Sequence, residues 1–247
     1  MLLTRPGSDS IHWEIIDGVL VSDAHSEATM AKLPPGMPCV SVLMPLAGVA
    51  SVTVDDYQGM RAAVEHLLAL GHRRIAYLGE GSQAYWSRRR YSAYRDALED
   101  AGIEADPLWV RRMSAPLPQP GEFRRGGEET MEAWLRDGWS GLGCTAILAH
   151  NDDAAFGALQ ALSAAKIRVP EELSVIGFDG LPEGEFTQPA LTTVRVPLAQ
   201  IGTLAVENLL QQMQRDAPTP LAANSSMPCR LIVRKSTAPP PTMGSSS

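Results

Sequence analysis

Acidic and amide side chains follow three of the apolar runs in this sequence, where they could hydrogen-bond a small ligand. The three groups are Asp55-Asp56 after residues 51–54, Asn151-Asp152-Asp153 after residues 145–150, and Asp179 after residues 173–178. Open α/β sheets bind ligands at the carboxyl ends of their strands, so we expect these groups to meet at one rim. Converging acceptors of this kind suit a polyhydroxylated ligand. One side chain of each group can instead cap the helix or turn that follows it.

A basic residue and three aromatic residues could contribute to the same rim. Arg90 ends the run Ser87-Arg88-Arg89-Arg90, and its guanidinium would add a forked hydrogen-bond donor. Three successive arginines are also typical of a solvated helix face. Tyr85, Trp86 and Phe123 could stack on a sugar ring or could cover a hydrophobic core. The sequence leaves both alternatives open.

The sequence contains none of the common catalytic or metal-binding patterns. It has no Gly-x-Ser-x-Gly segment and no Gly-rich phosphate loop, its five histidines lack metal-ligand spacing, and its three cysteines lie far apart. Paired aspartates can hydrolyse a glycoside when one of them stays protonated, but no feature of the sequence indicates that state. We therefore predict no catalytic residue, no metal and no cofactor, and a binding protein rather than an enzyme.

Apolar runs separated by helical patterns predict the elements that position these groups. The predicted strands are residues 15–21, 39–44, 51–54, 74–78, 146–149, 173–178 and 230–233. The predicted helices follow Asp55, span residues 87–100 and contain Met131, Trp134 and Leu135. A loop with three prolines is predicted at residues 115–121. Because strands alternate with helices, the predicted fold class is α/β with parallel, doubly wound sheets.

Composition limits the possible partners and compartments. The 247 residues are 45% hydrophobic, which is enough for two α/β lobes, and they carry a net charge of −7. This charge argues against a chain that follows a nucleic-acid backbone by itself. No apolar stretch is long enough to span a membrane and no secretion signal is found at residues 1–10, so we expect a cytoplasmic protein without membrane contact.

Several motifs, in order along the chain, resemble the effector-binding part of the lactose-repressor (LacI/GalR) family of bacterial transcription regulators. The matching segments are Asp55-x3-Gly59-x3-Ala63-x3-Leu67-x3-Gly71-His72-Arg73-Arg74-Ile75-Ala76, Ser87-x2-Arg90-x3-Tyr94-x2-Ala97-Leu98, Ala146-Ile147-Leu148-Ala149-His150-Asn151-Asp152-x2-Ala155-x-Gly157, residues 169–180, Ile201-Gly202 and residues 231–237. The resemblance implies a two-lobed, periplasmic-binding-protein-like fold with a small effector held between the lobes.

The resemblance also implies which residues bind the effector. Arg90, Asn151 and Asp179 match positions that hydrogen-bond the effector in this family, and Asp55 is expected on the opposing lobe. Phe123 falls near the position of an aromatic residue that stacks on the ligand ring. These five residues form the predicted ligand-binding set.

The expected domain boundaries follow from the same resemblance. The first lobe is expected at residues 1–72 and 197–218, the second at residues 73–194 and 227–236, and a disordered tail at residues 237–247. Residues 16–21 match the third strand of the family's first lobe, so we expect that lobe to be incomplete. No helix-turn-helix head is found in the sequence.

We therefore predict the effector-binding module of a LacI-type transcriptional regulator. Its expected partners are a sugar-like effector and a second copy in a homodimer, and operator DNA is expected to be bound only through a head that this chain lacks. Two alternatives stay open. A solute-binding protein of a transporter shares the two-lobed fold, and a dimerisation fragment would keep the second lobe without binding a ligand.

Overall fold

The computed structural model describes residues 13–22, 33–79, 84–113, 122–214 and 224–241. The chain divides into two compact units, of which the first comprises residues 1–55 and 197–228 and the second residues 56–196 and 229–247. Each unit contains a sheet with helices packed on it, and most neighbouring strands are parallel. The predicted α/β fold class is confirmed. The predicted proline loop at residues 115–121 lies outside the described residues.

The first unit is built, in its described part, on a sheet of four parallel strands in the order β1-β2-β3-β9. These strands are β1 (Val19–Val21), β2 (Cys39–Val42), β3 (Ala50–Val54) and β9 (Asn224–Met227). Helix α6 (Leu198–Met213) packs on β1, β2 and β3. The side-chain amide of Gln212 on α6 accepts from Cys39 N at 3.1 Å and donates to Cys39 O at 3.2 Å, which fixes the helix on β2.

Two elements of this unit differ from the prediction. The strand predicted from residue 15 begins only at Val19, and Trp13–Ile15 form a 3₁₀ turn instead, because Asp17-Gly18 interrupts the apolar run. Strand β9 was not predicted, since Asn224–Met227 is polar in sequence and becomes a strand by pairing with β3.

The second unit has, among the described residues, a six-stranded sheet in the order β10-β8-β7-β6-β4-β5, in which β10 alone is antiparallel. The strands are β4 (Ile75–Gly79), β5 (Val110–Arg112), β6 (Ala146–Ala149), β7 (Ser174–Asp179), β8 (Thr192–Arg195) and β10 (Arg230–Ile232). The helices are α1 (Asp56–Ala69), α2 (Tyr85–Asp100), α3 (Glu122–Arg136), α4 (Trp139–Leu142) and α5 (Asp152–Ala164).

Helix α1 belongs to the second unit, although the expected boundary at residue 72 placed it in the first lobe. Its buried stripe of Met60, Val64 and Leu67 agrees with the predicted helical pattern. The helix packs on α2, β8 and β10. At Gly59 a β-carbon would lie 3.0 Å from side-chain atoms of Phe178, so glycine allows the close approach of helix and sheet.

The end of the described chain is fastened to the second unit. Helix α1 is terminated at Gly71, where φ is +102°, and the buried His72 then bonds Thr145 Oγ1 through Nδ1 at 2.8 Å and Ala238 O through Nε2 at 2.9 Å. Ser236 Oγ donates to Val175 O at 2.6 Å and accepts from Thr192 N at 2.8 Å. Ordered structure therefore continues past residue 237, where the tail was expected to begin, while residues 242–247 lie outside the described part.

Helices α3 and α5 cross with their backbones in close contact. A β-carbon on Gly127 would overlap Ala154 O, and one on Gly157 would overlap Arg124 O. Glycine at both positions lets the start of α3 lie directly on the start of α5. The crossing therefore fixes the first turn of α3, which carries Phe123, relative to the strand end before α5.

Replacing Gly157 by alanine is expected to lower the stability of the second unit by about 1–3 kcal/mol, because the backbone of α3 must move away. Gly141→Ala in α4 is the matched control, since a β-carbon there meets nothing within 4 Å. The control should leave stability unchanged or raise it by up to about 1 kcal/mol, because alanine favours the helix. Thermal or urea unfolding of both variants measures the difference, and equal effects would contradict the proposed crossing contact.

Candidate functional site

Arg90 is the centre of the polar cluster at the strand ends of the second unit. Its Nε donates to Asp56 Oδ1 at 2.8 Å, its Nη1 donates to the backbone oxygen of His150, and its Nη2 lies 3.4 Å from Asp179 Oδ1. The side chains of Arg90 and Asp56 are 8% and 1% exposed, so the pair is buried. The guanidinium carbon also lies 3.7 Å from the ring centroid of Phe178. Within the run Arg88-Arg89-Arg90, the first two arginines are exposed and only Arg90 faces the interior.

Asp179 ends strand β7 in a strained conformation. Its φ of +120° is rarely adopted by residues other than glycine, and Gly180 follows with a φ of +76°. A β-carbon on Gly180 would lie 2.7 Å from Arg195 Cα, so the turn passes close to β8. The strained turn places the carboxylate toward Arg90 with 30% of the side chain exposed. Among the described residues, the Asp179 carboxylate is bonded by Arg90 alone, and its exposed side is available for a ligand.

Burial raises the pKa of Asp179 to about 7. The nearby guanidinium of Arg90 opposes this rise, and the negative charges of Asp152 and Asp56 add to it. Burial also raises the pKa of Asp152 to about 6, against hydrogen bonds from Thr193 Oγ1 at 2.6 Å and Leu181 N at 2.7 Å. These two bonds show that Asp152 fixes the turn after Asp179 rather than facing a ligand.

Asn151 is the N-cap of helix α5. Its Oδ1 accepts from Ala154 N at 2.8 Å, as expected of an amide at this position. Its Nδ2 has no hydrogen-bond partner among the residues that the structure describes. The three polar residues here have different roles. Asn151 caps helix α5, Asp152 forms hydrogen bonds inside the protein, and Asp153 forms an ion pair with Arg124 at 3.0 Å. The amide nitrogen of Asn151 is thus the group left for a ligand.

Phe123 and Trp86 form an aromatic group with His150. The Trp86 ring stacks on the imidazole, with centroids 5.9 Å apart, and the Phe123 ring lies 5.2 Å from it. Trp86 and Phe123 are 6.5 Å apart, edge to face. Next to Phe123, Arg124 donates to both carboxylate oxygens of Glu183, at 2.9 and 2.8 Å, and so holds the first turn of α3. Tyr85, the third aromatic candidate, is half-buried at the start of α2.

The structure brings four of the five predicted residues into the second unit. Arg90 and Asp179 are in contact, Phe123 packs on His150, and Asn151 directly follows His150 in sequence. Asp55 is the last residue of the first unit, where its backbone nitrogen donates to Met227 O at 2.9 Å. Sequence reasoning missed Asp56 as the partner of Arg90 and did not single out His150, although His150 stands between a buried strand and Asn151.

No group of three or more His, Cys, Asp or Glu among the described residues could hold a metal ion. None of the helices described is long and apolar enough to cross a membrane.

The raised pKa of Asp179 predicts a pH-dependent contribution to stability. Because the folded pKa of about 7 exceeds the unfolded value of about 4, the fold favours the protonated acid, and this stabilisation is lost as the pH rises from about 4 to about 7. Asp179→Asn stays neutral, so its stability relative to wild type should increase by at least about 1 kcal/mol between pH 5 and pH 8. Urea unfolding at both pH values measures this, and a constant difference would refute it.

Comparison with known proteins agrees with this fold. A family model described as periplasmic binding protein-like domain matches residues 64–237. The regulator GalS of Salmonella typhimurium is 36% identical over 177 residues, which are 72% of this chain and 49% of GalS. GalR of Escherichia coli is 32% identical over 232 residues, or 94% of this chain and 64% of GalR. The chain thus spans about half to two thirds of the length of these curated relatives.

Solved structures show the same similarity. A LacI family transcriptional regulator from Mycobacterium smegmatis superposes with a TM-score of 0.77 and 30% identity, over 92% of this chain and 80% of that one. A LacI family regulator from Enterococcus faecium with bound ribose also has a TM-score of 0.77, with 27% identity over 91% of this chain and 80% of that one. The chain therefore belongs to the periplasmic binding protein-like domain family, as an effector-binding domain of the type found in LacI/GalR regulators.

Proposed function

We propose that this chain binds a small, uncharged, sugar-like effector and is the effector-binding module of a LacI/GalR-type transcriptional regulator. The observation that carries the proposal is the buried Arg90, which is held by Asp56 and lies against Asp179 at the carboxyl end of the parallel sheet. Ligands of open α/β sheets bind at this end. The relatives that match are named as transcriptional regulators rather than enzymes, which supports binding without catalysis.

The chemistry of the available groups favours hydroxyl groups on the ligand. A hydroxyl both donates and accepts, so it can bond the carboxylate of Asp179, the remaining N–H groups of Arg90 and the Nδ2 of Asn151. Trp86 and Phe123 add half-buried aromatic faces for the apolar side of a sugar ring.

The charge balance of the cluster favours a neutral ligand over a sugar phosphate. The guanidinium of Arg90 already lies beside two carboxylates, Asp56 and Asp179, so the three groups together carry no surplus positive charge. A phosphate placed there would find no surplus positive charge to pair with and would lose its hydration. An uncharged sugar avoids both costs.

The regulatory part of the proposal concerns the assembly. We infer that an effector shifts the equilibrium between two conformations of a homodimer, by as much as its differential affinity for them allows. Operator DNA would be bound by a separate DNA-binding head, because this chain's net charge of −7 disfavours contact with a phosphate backbone. The proposed compartment of such a regulator is the cytoplasm.

A thermal melt against hexoses, pentoses, cellobiose, nucleosides and sugar phosphates tests the proposal. A ligand present at a hundred times its Kd adds about 2.7 kcal/mol, which raises the Tm of a chain of this size by roughly 5 to 10 °C. We expect a neutral sugar to give this shift and its phosphate to give none. A cooperative melt that no member of the panel moves would contradict effector binding and favour a dimerisation fragment.

Replacing Asn151 by serine separates the two roles of this residue. Serine caps a helix about as well as asparagine, so stability should change by less than about 0.5 kcal/mol. The variant lacks Nδ2, and the affinity for the effector found in the melt should fall about tenfold or more, because a polar group of the ligand loses its partner. Isothermal titration calorimetry measures the affinity, and wild-type binding by Asn151→Ser would remove this residue from the site.

A further inference from the structure

His150 is fully buried, and neither of its ring nitrogens has a hydrogen-bond partner among the described residues. The contrast with His72 is informative, because that imidazole is also buried but is bonded on both nitrogens, to Thr145 and Ala238. Buried polar groups in folded proteins nearly always have partners, so an unpartnered pair of nitrogens on one ring calls for a physical reason. The native fold retains this ring although a phenyl ring, which is planar and only slightly larger, would bury no polar nitrogen.

The surroundings of His150 connect it to the candidate site rather than to the hydrophobic core. Its backbone oxygen accepts from Arg90, and the next residue is Asn151. Its imidazole packs against the rings of Trp86 and Phe123, which are themselves only half-buried. Each of these rings stands in the first turn of its helix, so each can change rotamer without moving a strand of the sheet.

The imidazole is neutral in this environment. Burial and the neighbouring positive charge of Arg90 lower its pKa well below the usual value. A neutral imidazole has one N–H donor and one acceptor nitrogen, so a hydroxyl group, which both donates and accepts, can bond either nitrogen.

We propose that His150 is a specificity-determining residue that hydrogen-bonds an uncharged polar group of the effector after the Trp86 ring moves aside. The inference rests on the proposed function, since it adds a residue to the same site. The unpartnered nitrogens favour the bound arrangement, because the effector supplies the hydrogen bonds that the ligand-free protein leaves unmade. A ligand that lacks a polar group at this position would leave the nitrogens unsatisfied and would bind more weakly.

His150→Phe tests the inference, because it keeps a planar ring beside Trp86 and removes both nitrogens. We expect the ligand-free variant to melt at a higher temperature than wild type, and its affinity for the sugar that stabilises wild type to fall about tenfold or more. Equal affinity of the variant and wild type would overturn the inference and would make His150 a buried ring whose N–H faces an aromatic neighbour. Asn151→Ser is the matched control, since it should lose affinity without the gain in melting temperature.

Chemical labelling provides a second test that needs no identified effector. Diethyl pyrocarbonate acylates neutral imidazole nitrogens that it can reach, and peptide mass spectrometry assigns the site. In the ligand-free wild-type protein, His150 should be labelled faster than the equally buried but fully bonded His72. Labelling of both residues at the same rate would show that the Trp86 ring does not open, and would overturn the inference even where His150→Phe fails to fold.

The two tests distinguish failure of this inference from failure of the proposed function. A sugar that stabilises wild type and His150→Phe equally supports effector binding and overturns the role of His150. A panel in which no sugar stabilises wild type overturns the proposed function, and the labelling rates then decide separately whether His150 is a reachable polar group.

Discussion

The buried ion pair between Arg90 and Asp56 is the interaction on which the rest of this structure depends. Removing one partner of such a pair leaves an uncompensated charge in the interior, at a cost of about 3–5 kcal/mol. The same guanidinium also bonds the backbone oxygen of His150 and approaches Asp179, so it connects α1 and α2 with the ends of β6 and β7. One side chain thereby sets the relative positions of the groups that we propose to bind the effector.

Close backbone contacts are needed to bring these polar groups together. A β-carbon on Gly177 would overlap Asp152 Oδ1, and glycines at 127 and 157 allow α3 to lie on the start of α5. Asp152 in turn holds the turn after Asp179 through Leu181 N and Thr193 Oγ1. The site is therefore positioned by packing at the strand ends, and changes in these glycines would act on ligand binding without touching a ligand.

The sequence predicts those parts of the fold that depend on local hydrophobic patterns. Strands β6 and β7 are continuous apolar runs and were located within one residue, whereas β5, β8 and β9 have polar or mixed sequences and become strands by pairing with neighbours. The site divides in the same way. Strand-end positions are predictable, but burial decides that Arg90 rather than Arg89 faces inward. Burial also decides that Asp152 rather than Asn151 uses its side chain for hydrogen bonds inside the protein. Those choices depend on tertiary contacts that no local pattern encodes.

Three features that lower the stability of the native state occur together at this rim. Asp179 has a backbone conformation that residues with a β-carbon rarely adopt, and Arg90 and Asp56 bury charge. The buried His150 has two ring nitrogens without hydrogen-bond partners in the part of the chain that the structure describes. A sequence selected for stability alone could remove each feature by substitution: Asp179 by glycine, Arg90 and Asp56 by a nonpolar pair, and His150 by phenylalanine. Strain and unmade hydrogen bonds lower the stability of the free protein. They persist where a bound ligand compensates for them. Their coincidence at the carboxyl ends of β6 and β7 argues that binding, rather than packing, determines the residues found there.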